Sequence, residues 1–368
     1  MDIEVERAEL ANWRVVDTAP RTLAEGDARL RVDRFGFSSN NVSYAVIGDM
    51  FRFWEAFPAS PAAAAGATVW GRVPVWGFAD VVATRSADVA VGERLFGFLP
   101  MSTELVVTPG RATASEVSDT AAHRSVLAGP YNSYRRCAAD PDYRAGAEAI
   151  QMLLYPLFFT SFVIDDFVAD HDDFDAAQLV VSSASAKTSV GTAYLLHSRG
   201  VRTVGLTSPG NAAFCRTLGV YDEVVAYDDA GGLDRIPSVF IDVAGDQRVV
   251  SAVHHRLGDR LAHSMIVGDT HWDSPSAAAD GPRPGPAPAF LFAASQITKR
   301  SREWGADVLA STMTEAWGRY SDWVAGWITL EHAAGPQAVI DVFARYRSGS
   351  VDPRVGTICT LRTEEVSA

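Results

Sequence analysis

Residues 179–200 read LVVSSASAKTSVGTAYLLHSRG, and this stretch decides the fold. It begins with a short apolar run, continues through a turn of small hydroxyl residues and then carries apolar residues at helical spacing. This order predicts a buried strand over 178–182 and a helix from about Ser189 to Arg199. In an open parallel sheet, anionic groups bind at such a strand-to-helix turn, because the free N–H groups and the dipole of the helix point at them. The stretch therefore predicts a nucleotide-binding turn.

The turn itself is poor in glycine. The spacing G-x-x-G-x-x-G falls on Ser185, Thr188 and Gly191, so only the last glycine is present. The hydroxyl groups of Ser185, Thr188 and Ser189 could cap the helix and donate to phosphate oxygens, and Lys187 adds a positive charge. The alternative is a solvated turn that binds no ligand.

The strand after this helix ends in GLTSPGN (205–211), which has no Asp or Glu to bind a ribose 2'-hydroxyl group. The absence of that carboxylate favours NADP over NAD, because a carboxylate would repel a 2'-phosphate. We therefore predict that Thr207, Ser208 and Asn211 contact this phosphate, with Lys187 close enough to help.

The rest of the chain suggests two structural regions. The first hundred residues carry alternating β-branched and aromatic runs between Gly, Pro and Asp, which is typical of a small barrel-like β domain. From about Gly146 an apolar helix (146–170) leads into strands that alternate with helices, which predicts a parallel, doubly wound sheet. Residues 274–289 are rich in Pro, Gly and Ala and predict a long loop, either a lid or a tolerated insertion.

Length and composition limit the possible function. A chain of 368 residues exceeds the usual size of one hydrophobic core, so two domains are expected. The net charge of -13 and the lack of a basic run argue against a nucleic-acid partner. Three widely spaced cysteines and an N-terminus without a secretory pattern fit a cytoplasmic protein. The apolar run Gln151–Ile164 is too short to span a bilayer and is predicted to be a buried helix, with no membrane partner.

Several segments carry a family resemblance. YNSYRRCAADPDY (131–143), SSASAKTSVGTAYLL (182–196), GLTSPGNAAFC (205–215), YDEVVAYD (221–228) and VGDTHW (267–272) resemble the DUF2855 proteins. The order of elements along nearly the whole chain resembles the zinc-free, quinone oxidoreductase-like branch of the medium-chain dehydrogenase/reductase superfamily.

This resemblance implies an α/β fold in which one domain is inserted into another. A Rossmann-type NADP-binding domain with a doubly wound parallel sheet (146–289) would interrupt a β-rich, barrel-like (GroES-like) catalytic domain (1–145 and 290–368). The resemblance also implies NADP(H) as the cofactor, NADPH-dependent hydride transfer to a small carbonyl or α,β-unsaturated carbonyl substrate, and often a homodimer joined through the sheet edge. No cysteine and no Glu-His pair stand where zinc enzymes of the superfamily hold their metal, so no metal site is predicted. The acidic HDDFD stretch (171–175) is interpreted as a solvated loop.

Three further cofactor contacts follow from the resemblance. Asn41, in SSNNVSYAV, corresponds to an Asn beside the nicotinamide, although it could simply form a turn. Thr160 corresponds to a position that lines the nicotinamide, although a helical Thr could instead bond its own backbone. Ala244 lies in FIDVAGD, where the relatives have an Asp-x-x-Gly turn near the cofactor.

Hydride transfer also requires a proton source, which a tyrosine or a histidine can provide. Tyr44, Tyr131, Tyr134 and His271 are the candidates, because their segments should face the substrate cleft. The arginine-rich stretch GPYNSYRRC (129–137) could hold an oxyanion of the substrate, or it could be an interdomain hinge. The weakened glycine pattern keeps a second hypothesis open, a non-redox isomerase or lyase or a cofactor-less binding protein on the same fold.

Overall fold

The computed structural model describes residues 1–60, 68–267 and 283–363. The chain divides into two compact units, Met1–Leu153 with Ile328–Ala368, and Leu154–Trp327. The sequence analysis placed these boundaries at 145/146 and 289/290. Residues 290–327, which it assigned to the β-rich domain, lie in the second unit.

The first unit begins with strands. Within the described residues, its N-terminal part consists of β1 (Asp2–Glu6), β2 (Trp13–Val16), β3 (Ala28–Phe37), α1 (Ser39–Val46), α2 (Phe53–Ala56), β4 (Trp70–Gly71), β5 (Pro74–Thr84), β6 (Arg94–Pro100), β7 (Glu104–Val107), β8 (Pro109–Gly110), β9 (Glu116–Asp119) and β10 (Ser133–Arg136). Strand β3 shows why this region folds as a sheet. Ala28, Leu30 and Val32 are buried, while Arg29 and Arg31 alternate with them on the other face.

The boundary between the first and second units, after Leu153, lies within helix α3 (Glu148–Ala169). The elements of the second unit are α3, β11 (Gln178–Val181), α4 (Lys187–Ser198), β12 (Thr203–Thr207), α5 (Ala212–Thr217), β13 (Glu223–Ala226), β14 (Ser238–Asp242), α6 (Gln247–Leu257), β15 (Leu261–Ile266), β16 (Ala289–Phe290), α7 (Ala293–Trp304) and α8 (Ala306–Val324). The chain then returns to the first unit with β17 (Thr329–Ala334), α9 (Pro336–Arg347) and β18 (Val355–Thr360).

The first unit contains a three-stranded sheet, β2-β1-β4, and a larger sheet in the order β17-β18-β3-β5-β6-β10-β9-β8, with β7 also paired to β3. The returning strand β18 pairs antiparallel with β3, placing Ile358 opposite Gly36. Gly36 is required there, because a Cβ atom would lie 2.8 Å from the backbone of Met152.

The second unit contains a six-stranded sheet in the order β13-β12-β11-β14-β15-β16, and every strand pair in it is parallel. Numbered from β11, this is 3-2-1-4-5-6, the order of a doubly wound dinucleotide-binding sheet. The predicted fold class is therefore confirmed. The sixth strand was not predicted, because β16 lies at the end of the segment interpreted as a loop.

Both faces of this sheet are buried. Leu179 and Val181 of β11 pack with α3, whereas Val180 between them packs with α6. A strand buried on both sides reads as a continuous apolar run, as LVV does here.

Two helices interpreted from the sequence as part of the β-rich domain pack instead on the second unit. In α8, Trp317 lies 5.1 Å from the ring of Tyr155, and Tyr320 is stacked 4.9 Å from Phe158. These contacts join α8 to α3. They explain why residues 290–327 belong to this unit.

Helix α3 lies in the stretch Ala145–Ala169, which is long and apolar enough to cross a membrane by length and composition, and which alone passes that test among the described residues. Half of its most apolar window is buried in the protein. Leu154, Val163, Ile164 and Val168 are fully buried. This packing fits the predicted buried core helix.

Candidate functional site

The turn after β11 lies at the point where the strand order of the sheet reverses. Strands β12 and β14 flank β11, so residues 182–186 leave the sheet at the crevice where dinucleotides bind in this fold class. Helix α4 begins directly after this turn.

Ser182, the first residue of the turn, is fully buried and joins β11 to β14. Its hydroxyl donates to Asp242 Oδ1 at 2.7 Å and accepts the backbone N–H groups of Val243 and Ala244 at 2.8 and 2.9 Å. The predicted cofactor contact Ala244 is therefore fully buried, and its N–H group is already bonded within the protein. The sequence analysis did not identify Ser182 or Asp242.

Ser183 has a left-handed backbone with φ 51°, which is unusual for a residue other than glycine. Its N–H group donates to the phenol oxygen of Tyr227 at 3.1 Å. Burial raises the pKa of Tyr227 to about 12, so its hydroxyl stays neutral. Tyr227 follows β13 and was also missed by the sequence analysis.

The middle of the turn is held from the neighbouring strand connections. The hydroxyl of Tyr221 donates to the Ala184 carbonyl at 2.8 Å, and Asn211 Nδ2 donates to Ser185 Oγ at 3.0 Å. Gly205 of β12 leaves room for this arrangement, because a Cβ atom there would lie 2.8 Å from Ala184. The predicted residues Ser185 and Asn211 are thus brought together.

The predicted contacts at the end of β12 differ in exposure. Thr207 is fully buried in the strand, beside the thiol of Cys215, so its side chain cannot reach a ligand in this conformation. Ser208 is half-buried, and no partner for its hydroxyl is found in the described part of the chain.

The polar side chains in the first turn of α4 differ in burial. Ser189 is fully buried, and its hydroxyl donates to the Ser182 carbonyl at 2.9 Å, so it is not available as the predicted phosphate donor. Lys187 and Thr188 are half-buried. The residue before the helix, Ala186, has no side chain that could cap it, which leaves the N-terminal N–H groups without a side-chain acceptor from that position.

Gly191 lets α4 pack tightly on α3. A Cβ atom at Gly191 would lie 2.6 Å from the hydroxyl oxygen of Ser161, which donates to the Thr188 carbonyl at 2.8 Å. Thr160, the neighbour of Ser161, is half-buried in α3. Across the residues that the structure describes, the Thr160 hydroxyl has no hydrogen-bond partner, so the alternative of a bond to its own backbone is not observed.

In the first unit, the Asn41 side chain forms hydrogen bonds at the start of α1. Its Oδ1 accepts the Ser38 N–H at 2.8 Å, and its Nδ2 donates to the Pro74 carbonyl at 3.1 Å. The side chain is 3% exposed. Asn41 therefore supports the local fold, which favours the alternative of a turn residue over the predicted cofactor contact.

Tyr44 and Tyr131 lie in one aromatic cluster. The Tyr44 hydroxyl accepts from the indole of Trp76 at 3.0 Å, and its ring centre is 6.4 Å from that of Tyr131. The Tyr131 ring also lies 4.9 Å from Phe98 and 5.1 Å from Phe53. Burial raises the pKa of both tyrosines, so both stay protonated.

Tyr131 differs from Tyr44 in one respect. Its ring is half-buried, and within the described ranges its hydroxyl has no hydrogen-bond partner. Its backbone is fixed by the fully buried Arg124, whose Nη2 donates to the Tyr131 carbonyl at 2.5 Å. Arg124 also exchanges hydrogen bonds with Asn132.

Tyr134 has a packing role. It is 1% exposed, its hydroxyl donates to the Phe98 carbonyl at 3.0 Å, and its ring covers Gly97. The Tyr134 hydroxyl is thus bonded within the protein, which argues against the predicted role of Tyr134 as a proton donor. The adjacent arginines are also paired, Arg135 with Asp140 and Asp142, and Arg136 with Glu93, so neither side chain is an unpaired anion site.

The remaining candidates concern histidine and metal. His271 lies outside the described residues. In the parts of the chain that are described, no three His, Cys, Asp or Glu side chains come together as a metal site would require. In the HDDFD stretch, Asp173 forms ion pairs with Arg199, and the Phe174 ring stacks between His171 and His263.

Solved structures share this architecture. CurA from Vibrio vulnificus in complex with NADPH is 13% identical, covers 96% of this chain and 95% of its own, and has a TM-score of 0.57. A mutant enoyl thioester reductase from Candida tropicalis is 8% identical, with 98% of both chains covered and a TM-score of 0.54. The yhdH oxidoreductase from Salmonella enterica in complex with NADP is 13% identical, covers 98% of this chain and 99% of its own, and has a TM-score of 0.52. At these identities the likeness establishes the fold.

No curated protein matches the sequence. One family, described as "Protein of unknown function (DUF2855)", matches residues 35–352, which is most of the chain. The chain therefore belongs to the DUF2855 family and has the fold of the medium-chain dehydrogenase/reductase superfamily.

Proposed function

We propose that this protein is an NADPH-dependent oxidoreductase that reduces a small carbonyl or α,β-unsaturated carbonyl compound. The observation that carries the proposal is the start of α4. It lies at the reversal point of a 3-2-1-4-5-6 sheet, and no side chain at Ala186 caps it. In this proposal the unit Leu154–Trp327 binds the cofactor.

The residues of the turn fit a dinucleotide's phosphates in part. Ser185, Lys187 and Thr188 are half-buried and lie at the start of α4, where hydroxyl and ammonium groups can donate to phosphate oxygens. Gly191 keeps α4 close to α3, which fixes the position of this helix end. Ser185 and Thr188 would hold the pyrophosphate.

NADP is preferred over NAD in this proposal because the end of β12 carries no carboxylate. Lys187, Ser208 and Asn211 would contact the 2'-phosphate. Two of the solved proteins with this fold, CurA and the yhdH oxidoreductase, form complexes with NADPH and NADP respectively, which supports the same cofactor class here.

Tyr131 is the proposed proton donor. When bound, NADPH supplies a hydride to an electrophilic carbon, and the oxygen or carbon that gains negative charge then needs a proton. The Tyr131 hydroxyl is protonated, because burial raises its pKa. Among the described residues, none forms a hydrogen bond with it. Tyr44 is the second choice, since its oxygen already accepts from Trp76.

One observation favours the alternative of a non-redox enzyme or a cofactor-less binding protein. Three N–H groups of the turn are already used within the chain: Ser183 donates to Tyr227, Ala184 to the Leu206 carbonyl, and Ala186 to the Ser183 carbonyl. These groups cannot bind phosphate without a local change.

A binding experiment separates the two functions. NADPH at about 100 times its Kd should raise the free energy of unfolding of the purified protein by about 2.7 kcal/mol. The fluorescence of the nicotinamide ring should increase when NADPH binds. NADH at the same concentration should stabilise the protein less. If millimolar NADPH changes neither the fluorescence nor the unfolding temperature, while an unrelated small acid stabilises the protein, the non-redox alternative replaces this proposal.

We also propose a cytoplasmic homodimer joined through the edge of the six-stranded sheet. Strand β16 is one of the two edge strands, the other being β13, and Phe290 and Phe292 at or just after β16 are 56% and 64% exposed. Light scattering should give the mass of two chains, and Phe290→Asp should give the mass of one. A wild-type monomer at micromolar concentration would refute the dimer.

A further inference from the structure

Ser183 adopts a backbone conformation that glycine usually supplies. Its φ of 51° lies in the left-handed region, which a Cβ atom makes sterically unfavourable. A serine persists in that conformation only when the surrounding structure holds it there. The turn after β11 must therefore contain a contact that replaces the glycine.

Tyr227 supplies such a contact. Its phenol oxygen accepts the Ser183 N–H at 3.1 Å and also interacts with the Ser183 side chain. This bond fixes the orientation of the peptide group between Ser182 and Ser183, so a flip of that peptide, which would change the φ of Ser183, would break the bond. Tyr227 comes from the far side of β12, at the end of β13, so it is a long-range support for the turn.

The other supports of the turn act on different residues. Tyr221 binds the Ala184 carbonyl, and Asn211 binds the Ser185 hydroxyl. Ala184 and Ser185 do not have left-handed φ angles. Among these three side-chain contacts, only that of Tyr227 reaches Ser183, whose carbonyl also accepts the Ala186 N–H at 2.7 Å, so the Tyr227 bond is separable from the Tyr221 and Asn211 bonds by experiment.

We infer that Tyr227 is a positioning residue for the cofactor turn, and that its hydroxyl replaces the conformational role of a glycine at position 183. The expected effect on NADPH affinity rests on the proposed function, whereas the effect on the Ser183 backbone does not. Tyr227 does not need to touch the cofactor. It holds the turn in the shape that presents the start of α4.

The test is a double-mutant cycle on NADPH affinity. Tyr227→Phe keeps the ring and removes the hydroxyl, and it should weaken NADPH binding on the order of five- to tenfold, the effect of one hydrogen bond. Ser183→Gly alone should leave the affinity unchanged or raise it. The double variant should bind within about twofold of the wild type, because glycine adopts a left-handed φ without support. A Tyr227→Phe variant that binds like the wild type, or that stays weak with Gly at position 183, would overturn the inference.

Tyr221→Phe is the matched control. It removes a phenol hydroxyl from the same turn, but the lost bond is to Ala184. Any loss of affinity in Tyr221→Phe should persist in the Ser183→Gly background. If glycine at position 183 rescues both variants equally, it acts by general loosening of the turn, and the specific role of Tyr227 is refuted.

A second measurement does not depend on the cofactor. Hydrogen exchange of the free protein should show the Ser183 amide protected in the wild type, and at least about tenfold faster exchange in Tyr227→Phe. Unchanged exchange would refute the inference. If the wild type fails to bind NADPH, the proposed function fails, while the exchange result still decides the role of Tyr227.

Discussion

Gly191→Ala tests whether the packing of α4 on α3 is as tight as the structure shows. Alanine is favoured over glycine in a helix interior by about 1 kcal/mol, so an open helical glycine would gain stability from this change. At Gly191, however, the new Cβ atom would lie 2.6 Å from Ser161 Oγ and 3.1 Å from Ser161 Cβ. Both separations are shorter than van der Waals contact, so Ser161 must move.

The expected cost follows from what Ser161 would lose. Its hydroxyl donates to the carbonyls of Leu157 and Thr188 at 3.0 and 2.8 Å, and rotation away from Gly191 would break the bond to Thr188. The Thr188 carbonyl keeps the Thr192 hydroxyl as a donor at 3.0 Å, so the lost bond costs about 0.5–1.5 kcal/mol, and overpacking costs about 1–3 kcal/mol. After the helix-propensity gain of about 1 kcal/mol is subtracted, Gly191→Ala should lower the free energy of unfolding by about 0.5–3.5 kcal/mol.

Urea unfolding followed by circular dichroism measures this loss. Ser161→Ala removes the atom at 2.6 Å, so the cost of Gly191→Ala should fall by about 1–2 kcal/mol in that background. Gly231→Ala is the control, because a Cβ atom there meets nothing within 4 Å. The reasoning would be refuted if Gly191→Ala stabilised the protein, or if the losses of the two single variants added within about 0.3 kcal/mol.

Four further substitutions test the site and the core. Lys187→Ala should weaken NADPH binding more than NADH binding, and equal losses in titrations would remove Lys187 from the 2'-phosphate. Once a substrate is found, Tyr131→Phe should lower kcat on the order of 100-fold, whereas Tyr134→Phe should leave kcat within about twofold and lower the midpoint of urea unfolding. Burial lowers the pKa of His254, whose ring lies between the Pro284 carbonyl and the Ser264 hydroxyl, so the unfolded chain takes up a proton first as the pH falls. The neutral His254 therefore contributes to the free energy of unfolding above the usual pKa of histidine, and this contribution should be lost as the pH falls through the pKa of His254 in the folded protein. Urea unfolding at about pH 7 and 5 should show a smaller loss of unfolding free energy for His254→Gln than for the wild type. Equal losses would contradict this.

Periodicity predicted the doubly wound sheet because its strands are buried on both faces. The helix expected from about Ser189 to Arg199 is Lys187–Ser198, and the strand expected at 178–182 is Gln178–Val181. The two-residue strand β16 was missed because Ala289–Phe290 is too short to show alternation. Helices α7 and α8 were assigned to the other domain because aromatic packing partners such as Phe158 are distant in sequence.

The site was predictable as a turn but not as a set of donors. Sequence reasoning located the turn after β11, since a parallel strand followed by a helix defines it. It could not tell that the Ser189 hydroxyl bonds the Ser182 carbonyl, because this contact depends on the path of the turn, or that Thr207 is buried, because this depends on neighbouring strands. For the same reason Ser182 and Tyr227, which organise the turn, had no local pattern that marked them.

The replacement of glycines in this turn follows a physical rule. A glycine serves either close packing, where no Cβ atom fits, or a left-handed backbone, which a Cβ atom only disfavours. No hydrogen bond can remove a steric overlap, so glycine cannot be replaced where a Cβ atom does not fit. Glycine is indeed present at Gly191 and Gly205, where a Cβ atom would come within 2.6 and 2.8 Å of its neighbours. A left-handed φ costs a non-glycine residue roughly 1–2 kcal/mol, which one hydrogen bond of about 1 kcal/mol largely offsets. Position 183 belongs to this second class, so a serine can occupy it as long as Tyr227 holds its N–H group.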